Sequence, residues 1–280
     1  MGLLDFLGVG KPARLGLTLG GGGARGFAHI AFLKVLDELE IRPAVISGTS
    51  MGALMGALYA TGHSGLAIER IFKAMHLLDI VSLVDLSWGR TAGGLIHGEK
   101  VMRTLAKLTQ NRRIEELPIP LKIVATDFWK QSEVVFTQGS VADAVRASIS
   151  LPGVFEPVVL ENQVLVDGSI LNSLPYELIR DECDLLVAIN VIGERILDNT
   201  GRTKPTIFEV MLGSFQIMEA AHLETKLACA QPDYYIKPSL SNVELLDFKN
   251  MDHILASVKP EADLFRSYLE KNRSRLVSAA

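Results

Sequence analysis

Between Arg42 and Glu69 the chain carries no Asp, Glu, Lys or Arg. So long an uncharged stretch has to be shielded from water, in a membrane or in a core surrounded by protein. Pro43 and five glycines (Gly48, Gly52, Gly56, Gly62 and Gly65) interrupt it, which divides it into a short strand, a tight turn and a small-residue helix. It therefore reads as core. At its centre stands Gly48-Thr49-Ser50-Met51-Gly52. This fits G-x-S-x-G, a strand-to-helix turn so tight that small residues must flank the serine, whose hydroxyl it presents at the tip. A serine at a helix start is otherwise often no more than a cap. The apolar Ala44-Val45-Ile46 before it and the helix-compatible Ala53-Leu54-Met55 after it favour the turn.

A second strand-and-loop precedes it. Residues 15–19, Leu-Gly-Leu-Thr-Leu, read as a buried strand running into Gly20-Gly21-Gly22-Gly23, and Ile30, Leu33, Leu36 and Leu39 recur at helical spacing over residues 26–40. Strands are expected at 121–126, 134–136, 164–166 and 185–189, with a helix near 141–147 and a long amphipathic helix over 208–227. Near-continuous apolar strands alternating with helices predict an α/β fold, a three-layer α/β/α arrangement with a mostly parallel central sheet. No repeat, low-complexity tract or linker divides the chain. One domain over residues 1–280 is expected, its motifs within about 14–195 and its part from about 205 to 280 helical. Residues 71–98, which carry Ile80, Leu83, Leu86 and Trp88, read either as a cap over a site or as a packed helix and an ordinary connection.

Composition excludes several classes. With 280 residues, 48% hydrophobic and 21% charged, the chain can bury a large core and is not globally disordered. A net charge of −4 and the lack of a basic patch leave no basis for a nucleic-acid partner. Cys183 and Cys229 lack the paired short spacings of a zinc site or disulfide framework, so both are expected as buried thiols. The first residues show neither the basic start nor the long apolar stretch of a signal peptide, and cytoplasmic residence is expected.

Chemistry converges on few residues. Gly21, Gly23 and Gly26 satisfy G-x-G-x-x-G, but a dinucleotide site also needs an acidic residue at the end of the second strand, where Ser47-Gly48-Thr49-Ser50 stands. No Gly-Lys-Ser/Thr closes a phosphate loop either. The loop can instead aim backbone N–H groups at an oxygen that gains charge when Ser50 attacks a carbonyl. Arg25 either adds positive charge there or pins the loop through an ion pair. For a base, Asp167 with His222 or His253 would complete a Ser-His-Asp set, although both histidines look like ordinary helix residues. Asp167 itself is delivered by an apolar strand to a turn at Gly168. A partly buried carboxylate can take the serine proton directly, so a Ser/Asp dyad is chemically allowed; the plain alternative is a turn residue before glycine.

Together these pieces resemble the patatin-like phospholipase family, in particular its small single-domain bacterial members related to the catalytic domain of neuropathy target esterase. The resemblance rests on Gly21-Gly22-Gly23-Ala24-Arg25-Gly26, on Gly48-Thr49-Ser50-Met51-Gly52, on Ala147-Ser148-Ile149-Ser150-Leu151-Pro152-Gly153 with Phe155 and Pro157, and on Asp167-Gly168. It implies Ser50 as nucleophile, Asp167 as its base, and Gly21, Gly22 and Gly23, supported by Arg25, as the oxyanion hole. Ser169 departs from the Gly or Ala usual after Asp-Gly. The implied reaction is release of fatty acid from a phospholipid, lysophospholipid or other lipid ester, with no metal or organic cofactor and with peripheral membrane contact. The helix over 208–227 has apolar surface enough to pair with a second copy as a homodimer. A catalytically silent acyl-chain binder or signalling scaffold, and a conventional Ser-His-Asp esterase, are the alternatives.

Overall fold

The computed structural model describes residues 12–75, 98–193, 204–241 and 243–276. Its centre is a sheet built from β1 (Leu15–Leu19), β2 (Val45–Thr49), β3 (Leu121–Asp127), β4 (Ser132–Phe136), β5 (Val158–Leu160), β6 (Gln163–Asp167), β7 (Leu185–Ile189) and β8 (Tyr234–Ile236). The order is β5-β6-β3-β2-β1-β7-β8, with β4 also paired to β3. β3-β2-β1-β7-β8 is parallel, whereas β4, β5 and β6 run antiparallel to their neighbours. The sheet is thus mostly parallel, as expected, with an antiparallel wing. The expected helical part beyond 205 also contributes a strand, β8.

Both faces of the parallel part are covered. Along β7, Leu185, Val187 and Ile189 enter the larger core cluster while Leu186 and Ala188 enter a second one on the opposite face. This period of two is what the near-continuous apolar run produces once both faces are buried. The larger cluster holds α1 (His29–Glu38), α2 (Met51–Ala60), α3 (Gly65–Ala74), α4 (Gly98–Leu108), α5 (Val141–Ser148), α7 (Met251–Ser257) and α8 (Lys259–Lys271) against the sheet. The other face is closed by the short helix Tyr176–Glu182 and by Leu223 of the long helix α6 (Ile207–Cys229). All ten residues of α2 are buried, so that part of the uncharged stretch is core, whereas Gly62, Ser64 and Leu66 beyond it are exposed. No described helix is long and apolar enough to cross a membrane.

Cys183 is buried as expected, but Cys229, the last residue of α6, is exposed. The same helix leaves Ile207 and Ile217 exposed. Most of the candidate cap, residues 76–97, lies outside the described residues.

The register around β3 positions the site. Val124 pairs with Thr49 of β2 and Val135 of β4; the next residue, Ala125, pairs with Asp167 of β6 and Val134 of β4. A strand has only two edges, so β2 and β6 share one of them. They approach from opposite directions and end head to head: β2 leaves the sheet after Thr49, and the tip of β6 takes its place.

Candidate active site

At the end of β2 the chain reverses into α2 within one residue. Ser50 has φ 53° and ψ −123°. A non-glycine residue reaches that conformation at a cost of about 1–3 kcal/mol, and it persists because the surroundings hold it. Ser148, at the end of α5, does so: its Oγ accepts the Ser50 N–H at 2.8 Å and donates to the Val124 carbonyl at 2.6 Å. Gly52 lets the first turn of α2 lie against the end of β1, since a side chain there would collide with the Leu19 and Gly20 carbonyls.

Ser50 Oγ donates to Asp167 Oδ2 at 2.7 Å. The other carboxylate oxygen accepts the Ser169 N–H at 2.8 Å. Asp167 is 1% exposed, and burial pushes its carboxyl up to about 6, against the opposing hydrogen bonds from Ser169 and Ser50. The Ser169 side chain thus turns toward the carboxylate, and its hydroxyl lies where a side chain on Gly21 would have to go.

The glycine loop passes beside the pair. Its start is anchored: Gly20 N–H donates to the Ile189 carbonyl at 3.0 Å, and the Gly20 carbonyl meets His29 Nε2 at 2.8 Å. The carbonyl can only accept, so Nε2 carries the proton, and burial pushes this histidine down to about 4, which keeps it neutral. Gly21 N–H donates to the Ser173 carbonyl at 2.9 Å. That donor is therefore occupied, which the sequence does not reveal. Gly22 and Gly23 make no N–H hydrogen bond among the described residues, and Gly23 has φ 57°. Arg25 is buried behind the loop, its side chain packed on the backbone of Gly193.

An apolar pocket opens at Ser50 and runs between Met51, Leu54, Phe72, Leu105, Leu151 and Phe248. Of the histidines weighed as bases, His222 and His253 are both exposed, and neither hydrogen-bonds Ser50 or Asp167. No described group of three or more His, Cys, Asp or Glu side chains is arranged to hold a metal ion. Sequence reasoning missed Glu219. It lies inside α6 yet is 7% exposed, and its carboxyl is pushed up to about 8, first by burial and then by the Asp167 charge, with Arg25 and Ser173 opposing. A lone Glu among Met218, Ala220 and Ala221 gives no sequence signal for this.

The comparisons agree with this architecture. The family model for patatin-like phospholipase matches residues 17–179. The chain is 36% identical over 181 residues to an uncharacterized NTE family protein of Mycobacterium tuberculosis, covering 64% of this chain and 49% of that one. It is 31% identical over 272 residues to patatin-like phospholipase domain-containing protein 7 of Rattus norvegicus, covering 86% of this chain and 20% of that one. The chain thus spans about half the length of the first relative and a fifth of the second. Among solved structures, VipD from Legionella pneumophila shares the fold at a TM-score of 0.51 and 13% identity, over 93% of this chain and 68% of that one.

Proposed function

From the premise that the chain belongs to the patatin-like phospholipase family, we propose that it is a serine acyl hydrolase that releases fatty acids from phospholipids, lysophospholipids or related lipid esters. The observation that carries this reading is the 2.7 Å hydrogen bond from Ser50 to Asp167 at the strained turn above an apolar pocket.

Ser50 Oγ attacks the ester carbonyl while its proton passes to Asp167. The carboxyl near 6 suits that task, because it is largely ionised at neutral pH yet more basic than an exposed aspartate. Charge develops on the carbonyl oxygen, facing the Gly22 and Gly23 N–H groups and the positive N-terminal end of α2. With its own N–H committed to Ser173, Gly21 contributes close approach rather than a donor, and Arg25 contributes positive charge behind the loop. Collapse breaks the ester C–O bond, and the leaving alcohol takes the proton from Asp167. Water, deprotonated by the same carboxylate, then attacks the acyl–Ser50 ester; collapse breaks the acyl–Oγ bond, Asp167 returns the proton to Ser50 Oγ, and the fatty acid leaves the pocket. No step calls for a metal or organic cofactor.

The test is fluorophosphonate labelling of wild type, Ser50→Ala and Asp167→Asn, with the adduct located by mass spectrometry, beside phospholipid and lysophospholipid hydrolysis. Labelling should map to Ser50 alone, and either variant should lose about three orders of magnitude in turnover. Folded wild type that fails to label would instead point to a silent acyl-chain binder. Retained turnover in Asp167→Asn would remove the dyad.

A further inference from the structure

Glu219 has no part in the scheme above, yet it is built into the same site. It lies on α6, the helix that crosses the sheet face behind the dyad. A cavity of about 10 Å³, room for a single water molecule, is lined by Glu219, His222 and Lys226 of α6 and by Ser169 and Ser173. Those two serines are the contacts of the catalytic elements: Ser169 N–H holds Asp167, and the Ser173 carbonyl holds the oxyanion loop through Gly21. The carboxyl of Glu219 therefore reaches the back of both halves of the site. Its Oε1 is buried without a hydrogen-bond partner among the described residues.

We propose, on the basis of the Ser50/Asp167 reading, that Glu219 is a positioning residue whose neutral acid form supports the dyad and whose ionisation shuts the reaction down at alkaline pH. Two buried carboxyls that feel each other's charge do not both ionise as readily as either would alone. Asp167 ionises first, near 6, and its charge then helps hold the proton on Glu219 up to about 8. The other charged groups facing Glu219 are Arg25 from the oxyanion loop and, on its own helix, Lys226, which is engaged by Glu177, Asn172 and the Leu174 carbonyl. His222 shares the cavity. Once ionised, Glu219 sets a second negative charge against the loop where the oxyanion forms and offsets the field of Arg25, so the transition state loses stabilisation.

The experiment is the pH dependence, from 5 to 10, of fluorophosphonate labelling of Ser50 and of p-nitrophenyl butyrate turnover, for wild type, Glu219→Gln and His222→Gln. Wild type should rise through about 6 and fall about tenfold between pH 7 and 9, as one ionisation near 8 requires. Glu219→Gln should keep the acid limb and lose the alkaline one, and His222→Gln should keep both. A wild type without an alkaline limb, or a limb that survives in folded Glu219→Gln, overturns the proposal. Should Glu219→Gln fail to fold, a limb lost in His222→Gln overturns it equally. Ser50 labelling with an acid limb would in every such case leave the dyad standing, whereas wild type that does not label at all would take down the dyad itself.

Discussion

Ser50 and Asp167 both sit where stability alone would not place them. One holds a left-handed backbone and the other a carboxyl buried at 1% exposure. The folded state binds the Asp167 proton more tightly, near 6, than an unfolded chain near 3.8, so stability from this group is present below pH 4 and lost as pH rises through 6. Asp167→Asn should therefore raise the unfolding free energy at pH 8 by roughly 1–3 kcal/mol. That gain should vanish at pH 4; equal denaturant midpoints for the two proteins at pH 8 would contradict it. Ser148→Ala should act in the opposite sense, because it strands the Ser50 N–H and the Val124 carbonyl. Urea unfolding is expected to show a loss of about 1–3 kcal/mol.

At the scale of elements, the head-to-head meeting of β2 and β6 on one edge of β3 is what brings residues 117 positions apart into hydrogen-bond contact. Apolar patterning marked both strands, but it is blind to direction, and only pairing shows that β6 runs against β2. The glycine loop is held in the same cooperative manner, between β7, the Ser173 turn and His29. A Cβ on Gly22 would stand 2.8 Å from the Val191 carbonyl, so Gly22→Ala must displace the loop. Its N–H would move with it, and kcat should fall about a hundredfold in a protein that still melts cooperatively. A wild-type kcat would remove Gly22 from the oxyanion hole.

Across the whole molecule, the apolar pocket draws on α2, α3, α4, the turn after α5 and the approach to α7, so its depth is a tertiary property. Leu105 of α4, far from Ser50 in sequence, lines it. Leu105→Trp should shift selectivity from p-nitrophenyl octanoate toward the acetate by about tenfold in kcat/KM while Ser50 labelling persists, since a few misplaced methylenes cost about 1–3 kcal/mol. An unchanged ratio would mean that the acyl chain lies elsewhere.

The strand-loop-helix units, the burial of most of the uncharged stretch, the turn at Ser50 and the family resemblance carried by glycine loop, serine and aspartate were all legible in the order of residues. These are local matters of steric room and of apolar periodicity, written in adjacent residues. Which partners meet across the chain was a matter for the fold. It gave Ser148 to the Ser50 backbone, committed the Gly21 N–H to Ser173, turned Ser169 toward Asp167, and buried Glu219 beside Ser173 while leaving Cys229 in solvent. A helix residue's burial and a carboxyl's proton affinity depend on what packs against them, and the edge of β3 that receives β6 is not encoded in nearby residues.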